Sequence, residues 1–249
     1  MRLTAQEIYQ HLVEDDKILE ISGQIRFYLG NVDIVVKQRD VVGNIIQEWL
    51  EGWLRKNDVE YLLNHNSQMP PDFYLNPENK TKELLEVKAF NRKGSPGFDI
   101  ADFNSFQREI IERPYMLHAQ YLIFGYEMTD DGYVRIKNLW LKELWTICRC
   151  MEKWALNLQI KDGVVHKIRP AVWYSKKTSQ FQPFESLEDF ISAVEQTVYQ
   201  NPKTRNLSGT WLKDFLRAYE QQYGVYLKVQ RWVDIEEKYK KKSKSGLSE

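Results

Sequence analysis

Leu84-Leu85-Glu86-Val87-Lys88-Ala89-Phe90 places a carboxylate and an ammonium group in the middle of an otherwise apolar run. Side chains on a strand alternate between its two faces. Leu85, Val87 and Ala89 then share one face, suited to a core, while Glu86 and Lys88 share the other. Upstream, Asp72-Phe73-Tyr74-Leu75 follows Pro70-Pro71 and reads as a second short strand. The connection between them, Asn76-Pro77-Glu78-Asn79-Lys80-Thr81-Lys82, is rich in turn formers. Folding this hairpin symmetrically about Asn79 sets Leu75 opposite Glu83 and Asp72 opposite Glu86. Directly opposed residues lie on one face, so two carboxylates are expected to meet beside Lys88. A slip of one residue would undo that arrangement.

Two opposed carboxylates repel each other unless a cation lies between them. Mg²⁺ takes oxygen ligands in octahedral geometry and keeps several waters. Asp72, Glu86 and the backbone carbonyl of Val87 are the expected ligands, with positions left for water and a phosphate oxygen. Such an ion lowers the pKa of bound water and neutralises charge on a phosphoryl group. Lys88 is placed to orient the water or to stabilise developing negative charge. The set of residue types therefore points to phosphodiester hydrolysis, with Asp72, Glu86 and Lys88 as catalytic residues.

Working outward, Val41 to Lys56 reads as a helix. Ile45, Ile46, Trp49, Leu50, Trp53 and Leu54 recur at helical spacing and form its expected buried face. Glu48 and Glu51 fall on the polar stripe beside it. Glu48 borders the apolar face and is the candidate for an additional metal ligand; a solvated helix face accounts for it equally well. Thr4–Glu20 reads as an amphipathic helix, and Ile25–Leu29 with Val32–Lys37 as a hairpin across Gly30-Asn31. After the Glu83–Phe90 strand come a loop, Asn91–Gly97, and a helix over Ile100–Glu112 that stops before Pro114. Gln120–Met128 and Val134–Leu139 read as strands and Leu141–Met151 as a helix. Short strands are expected within Leu156–Ile168 and at Ala171–Tyr174, and helices over Leu187–Tyr199 and Thr210–Tyr223. The order predicts an α/β (α+β) fold, a mixed central β-sheet flanked by helices. One domain is expected over residues 1–235, with its catalytic core at about 41–128. A basic, disordered tail is expected over 236–249, where Lys238, Lys240, Lys241, Lys242 and Lys244 lie close together.

Lys+Arg and Asp+Glu number 35 each, which excludes a uniformly basic coat; any nucleic-acid contact has to come from local clusters. In the loop after the catalytic strand, Asn91, Arg92, Lys93 and Ser95 are candidate DNA contacts, since Arg and Lys can read guanine and Asn adenine in the major groove. An ordinary surface loop is the competing explanation. Lys176, Lys177, Lys203 and Arg205 are candidates for phosphate contacts rather than base reading. His166-Lys167-Ile168-Arg169 places cations along a strand. The eight Trp residues fall mostly at core-like positions and are read as packing. Cys148 and Cys150 form no disulfide framework and suit a reducing cytoplasm. The four His residues are too scattered for a zinc site. No Gly-rich dinucleotide motif, no phosphate-binding loop, no signal peptide and no membrane-length apolar run is present.

Pro71-Asp72, a gap of thirteen residues and then Glu86-Val87-Lys88 resemble the motif of the PD-(D/E)XK nuclease superfamily, and the helix–hairpin–strand–helix–strand order resembles that fold's core. Asp40-Val41-Val42-Gly43-Asn44-Ile45-Ile46-Gln47-Glu48-Trp49 and Ser95-Pro96-Gly97-Phe98-Asp99-Ile100-Ala101-Asp102-Phe103 resemble type II restriction endonucleases of the NlaIV/NgoBV group over most of the chain. The resemblance implies a Mg²⁺-dependent homodimer that cuts both strands of double-stranded DNA at the palindrome GGNNCC, paired with a cognate DNA methyltransferase. Two other readings use the same residues. One is a structure-selective repair or junction-resolving nuclease; the other is a non-catalytic DNA-binding protein in which the three charges are structural.

Overall fold

The structure is a computed structural model that describes residues 1–64, 69–175 and 180–240. The chain forms two compact units, Met1–Phe98 with His118–Glu143, and Asp99–Leu117 with the residues from Leu144 onward.

The first unit opens with α1 (Ala5–Gln10), started by a reciprocal capping box between Thr4 and Glu7. It runs on into a single π-helical turn, His11–Asp15. Next come β1 (Ser22–Gln24), β2 (Arg26–Leu29), β3 (Val32–Val35), α2 (Val42–Lys56), β4 (Leu62–Leu63), β5 (Phe73–Tyr74) and β6 (Leu84–Asn91). The chain leaves for β7 (Ala101–Asp102) and α3 (Phe103–Glu112) of the second unit, then returns for β8 (Gln120–Met128) and β9 (Tyr133–Glu143). Six strands form a mixed sheet in the order β1-β9-β8-β6-β5-β4. Only the β6–β8 pair is parallel, from Leu85 opposite Gln120 to Asn91 opposite Tyr126. A parallel neighbour requires a long crossover, which the excursion through α3 supplies.

Val42, Ile46, Leu50 and Leu54 of α2 pack in one core with Leu85, Val87, Leu122 and Phe124 of β6 and β8. This seam is narrower than the periodicity predicts: Trp49, expected in the buried face, is 42% exposed. The seam follows steps of four residues, and Trp49 lies to one side of it.

The second unit holds β7 and α3, followed by β10 (Leu158–Lys161), β11 (Val164–Ile168), α4 (Leu187–Gln200), α5 (Trp211–Tyr223) and α6 (Trp232–Tyr239). Its sheet has the order β10-β11-β7. Several expectations change here. Residues 141–151 do not form a helix: β9 continues to Glu143 because Leu141, Lys142 and Glu143 pair with Leu122, Tyr121 and Gln120, and a 3-10 turn follows at Leu144–Ile147. Cys148 and Cys150 are therefore not on a helix. Both are buried, and burial pushes both thiols above their ordinary value, which keeps them unreactive. Residues 171–174 form no strand; Trp173 and Tyr174 lie in a turn.

The irregular tail was expected from Glu236, yet α6 runs to Tyr239. Its lysines Lys238 and Lys240 are engaged in ion pairs while still partly exposed. Lys238 pairs with Asp189 and Glu185, each at 2.9 Å, and Tyr239 is buried against Phe184. Lys241, Lys242 and Lys244 lie outside the described residues. Among the described residues no helix is long and apolar enough to cross a membrane.

Candidate active site

β5 and β6 pair with Phe73 opposite Leu85 and Tyr74 opposite Leu84. Continued by one residue each way, this is the symmetric hairpin register, with Leu75 N–H donating to Glu83 O at 2.8 Å. Glu83 itself has φ 53°, a left-handed conformation that ends the turn. β6 accordingly starts at Leu84 rather than Glu83.

β5 is only two residues long, and its late start leaves the β6 edge opposite residue 72 to the Asp72 side chain. Beyond Phe73 the backbone no longer pairs with β6, and the Asp72 side chain takes over that edge. Asp72 Oδ2 accepts the Val87 N–H at 2.8 Å. The N–H and C=O of one strand residue face the same edge, so the Val87 carbonyl is turned to the side where Asp72 lies. Asp72 Oδ1 accepts the side-chain amide of Gln47, on α2, at 3.0 Å.

Glu86 and Lys88, two apart on β6, form an ion pair with Lys88 Nζ 2.7 Å from Glu86 Oε1. Glu86 is 4% exposed, and its Oε2 is buried without a hydrogen-bond partner among the described residues. Burial pushes the Glu86 carboxyl up to about 7; the Asp72 charge adds to the rise and Lys88 opposes it. Burial also raises Asp72, against the Val87 N–H, Lys88 and Gln47. The folded chain thus holds two acids that resist ionising together unless a cation beyond Lys88 joins them.

These features fit a hard divalent ion. A buried carboxylate oxygen with unused lone pairs is costly, and a second carboxylate, that of Asp72, is close enough for its charge to act on Glu86. Among the described residues, no third acidic, His or Cys side chain joins them to complete a metal-binding group. Water or a phosphate oxygen would supply the remaining ligands of a bound ion. Glu48 is exposed and does not join the pair. Glu51 accepts the Tyr61 hydroxyl at 3.0 Å. The helix contributes Gln47 instead, a neutral residue next to Glu48 in the sequence. Its only signal there was its place one helical turn before Glu51, on the side facing the hairpin.

The candidate DNA contacts are less uniform. Asn91 Oδ1 accepts the Lys93 N–H at 3.0 Å and closes a turn, which leaves Lys93 and Ser95 exposed. Arg92 is built into the fold. Its guanidinium lies 5.4 Å from the Trp140 ring centre, and its Nε donates to Asn138 Oδ1 at 2.7 Å. Glycine at 125 makes room for it, since a Cβ there would lie 2.5 Å from Arg92 Cδ. In the second unit, Arg205 caps the end of α4, donating to the carbonyls of Tyr199 at 3.0 Å and Gln200 at 3.2 Å. Lys203 lines a cavity of about 540 Å³ with Asn104, Arg108 and Thr204. Arg169, just past β11, pairs with Asp99. Lys176 and Lys177 lie outside the described residues.

The chain is similar to known proteins. The type II restriction enzyme NlaIV of Neisseria lactamica is 59% identical over 242 residues, 97% of this chain and 100% of that protein. The type II restriction enzyme NgoBV of Neisseria gonorrhoeae is 55% identical over 161 residues, 65% of this chain and 91% of that protein. A solved structure of the NlaIV restriction endonuclease superposes with a TM-score of 0.94, covering 97% of this chain and 98% of that one. The mixed sheet and its flanking helices are thus a restriction-endonuclease fold. With residues 2–239 also matching the family description, the chain belongs to the NgoBV restriction endonuclease family and is a type II restriction enzyme, a site-specific deoxyribonuclease.

Proposed function

We propose that the protein hydrolyses phosphodiester bonds of double-stranded DNA with Mg²⁺ at the palindrome GGNNCC. In this reading it acts as a homodimer, each subunit cutting one strand, with Asp72, Glu86 and Lys88 as its catalytic residues. The observation that carries the reading is the unpartnered, buried Oε2 of Glu86, in a carboxyl group that also feels the charges of Asp72 and Lys88. The GGNNCC site rests on likeness to the NlaIV/NgoBV group. A palindrome matches a twofold-symmetric protein. An enzyme of this kind also needs a cognate methyltransferase to shield the host's own sites.

Asp72, Glu86 and the Val87 carbonyl would hold the ion. When bound, Mg²⁺ supplies Lewis-acid stabilisation of the phosphoryl oxygens and activates water at neutral pH. Lys88 would orient the attacking water or stabilise the charge that develops on the phosphate. Gln47 keeps the Asp72 carboxylate turned toward β6.

Digestion of plasmid DNA with and without Mg²⁺, followed by sequencing of the ends, tests the proposal. Discrete fragments ending within GGNNCC are expected, with none from Asp72→Ala. Fragments without fixed ends would favour a structure-selective nuclease. No cleavage with any divalent ion would overturn the catalytic assignment.

A further inference from the structure

β2 and β3 form a two-stranded sheet of their own. Their register sets Phe27 opposite Ile34 and Leu29 opposite Val32, so alternation collects these four side chains on one face. The other face carries Arg26, Tyr28, Asp33 and Val35, with Arg26 and Asp33 paired at 2.5 Å. The base is held firmly. Val36 N–H donates to Ile25 O at 2.8 Å, Arg39 pairs with Asp130 at 2.8 Å, and Val35 packs where Gly132 lacks a side chain. The apolar face nevertheless lies open, its four residues 50–70% exposed. An isolated hairpin is marginal in water, and an uncovered apolar face of this kind marks an interaction surface.

The face does not end at the hairpin. The Ile25–Val36 bond extends the register by one pair, which places Ile25 on the same face as Phe27 and Leu29. Ile25 also lines an apolar cavity of about 360 Å³ with Ile21, Ile45, Ile46 and Trp49. One continuous apolar strip therefore has a projecting end and a hollow end.

We infer that this strip is the subunit interface, with the β2–β3 hairpin of each copy seated in the Ile21–Ile45–Trp49 cavity of a second copy. The inference rests on the proposed two-subunit cleavage of a palindrome and assigns its surface. Three observations favour a second copy over other occupants. A projection and a matching hollow on one molecule satisfy a twofold interface reciprocally. Phe27, Leu29, Val32, Ile34, Ile21 and Trp49 together present on the order of 600 Å², close to the roughly 800 Å² per partner of a standard interface. The strip also carries no cation, so DNA phosphate has nothing to pair with there. Trp49 and Ile45 lie on the helix that holds Asp72 through Gln47, so the same interface braces the active site.

Sedimentation velocity of the full chain without DNA, together with cross-linking, tests this. The wild type is expected to be a dimer. Leu29→Glu and Trp49→Glu should each weaken association by at least about 30-fold, the loss expected at an interface hot spot, with unchanged circular dichroism. A mixture of Leu29→Cys and Trp49→Cys chains treated with a short bis-maleimide should give a cross-linked heterodimer; Cys148 and Cys150 are buried and stay silent. A wild type that is monomeric with and without DNA would overturn both the interface and the dimer. A dimer that survives Leu29→Glu without the cross-link would overturn the interface alone. Loss of DNA affinity in a Leu29→Glu dimer would assign the hairpin to DNA instead. The cross-link decides the matter if either Glu variant fails to fold.

Discussion

Gln47 donates its side-chain amide to Asp72 Oδ1 at 3.0 Å, so a neutral residue of α2 fixes the acid that stands just before the two-residue strand β5. The opposite oxygen is fixed by the Val87 N–H. Asp72 is thereby held between a helix and a strand before any ion arrives, and its rotamer is set by both.

Gln47→Ala should free the Asp72 carboxylate without removing it. Groups that orient a metal ligand typically contribute 10- to 100-fold to metal affinity or activity. The expected outcome is a rise of that order in the Mg²⁺ concentration for half-maximal cleavage. The melting temperature in EDTA should change little. An unaltered Mg²⁺ dependence would remove Gln47 from the site.

Lys88→Ala should lower the cleavage rate by on the order of 10²- to 10³-fold, as for other electrostatic stabilisers, while DNA binding persists. Single-turnover rates and gel-shift affinities separate the two effects. A variant that still cleaves at the wild-type rate would leave Lys88 as no more than the partner of Glu86.

Glu86 makes the stability of the metal-free protein depend on pH. Its carboxyl titrates at about 7 in the fold, against 4.5 ordinarily. Between those values the native state binds more protons than the unfolded chain, so stability falls as pH rises through that window. Above about 7 the loss is complete. Melting curves in EDTA should therefore show Glu86→Gln gaining on the wild type from pH 5 to pH 8. Added Mg²⁺ should raise the wild-type melting temperature at pH 8 more than at pH 6, and should not raise that of Glu86→Gln. Parallel melting profiles for the two proteins would count against the shifted carboxyl.

Gly125→Ala should destabilise the first unit. The added methyl would meet Arg92 Cδ at 2.5 Å and Trp140 Cζ3 at 2.9 Å. Overpacking of this kind costs about 1–3 kcal/mol. Arg92→Ala in the same chain should recover part of the loss, measurable by urea denaturation. Additive losses in the double variant would mean that the Arg92 stack is not what fills the space.

DNA affinity should fall steeply with salt. Each neutralised phosphate contributes a slope of about −0.9 in log K against log salt. Exposed Lys93 is a candidate contributor, whereas Arg205 is already engaged at the end of α4. Lys93→Ala should reduce the slope by about one and Arg205→Ala should not.

Much of this was legible in residue order. Alternation around Glu86-Val87-Lys88 and the turn centred on Asn79 yielded both strands and a register in which Phe73 faces Leu85. Such information is local: a period of two and a short loop leave few ways to pair. The β2–β3 hairpin was readable for the same reason, and the Val42–Lys56 helix from apolar residues recurring at helical spacing. What could not be read depends on partners distant in sequence. Residues 141–143 became strand because β8 offered them a ladder, and residues 232–239 became helix because aromatic and acidic residues of α4 and its approach hold Trp232, Lys238 and Tyr239. Gln47 rather than Glu48 meets Asp72 because the rotation of α2 is set by its packed seam on β6 and β8, not by charge. Residue order thus settled that Glu86 and Lys88 stand two apart on one strand, β6. Only the packing of a helix against that strand decided how deeply Glu86 is buried and which neighbour orients Asp72, because burial and orientation are properties of surfaces that do not exist until the chain has folded.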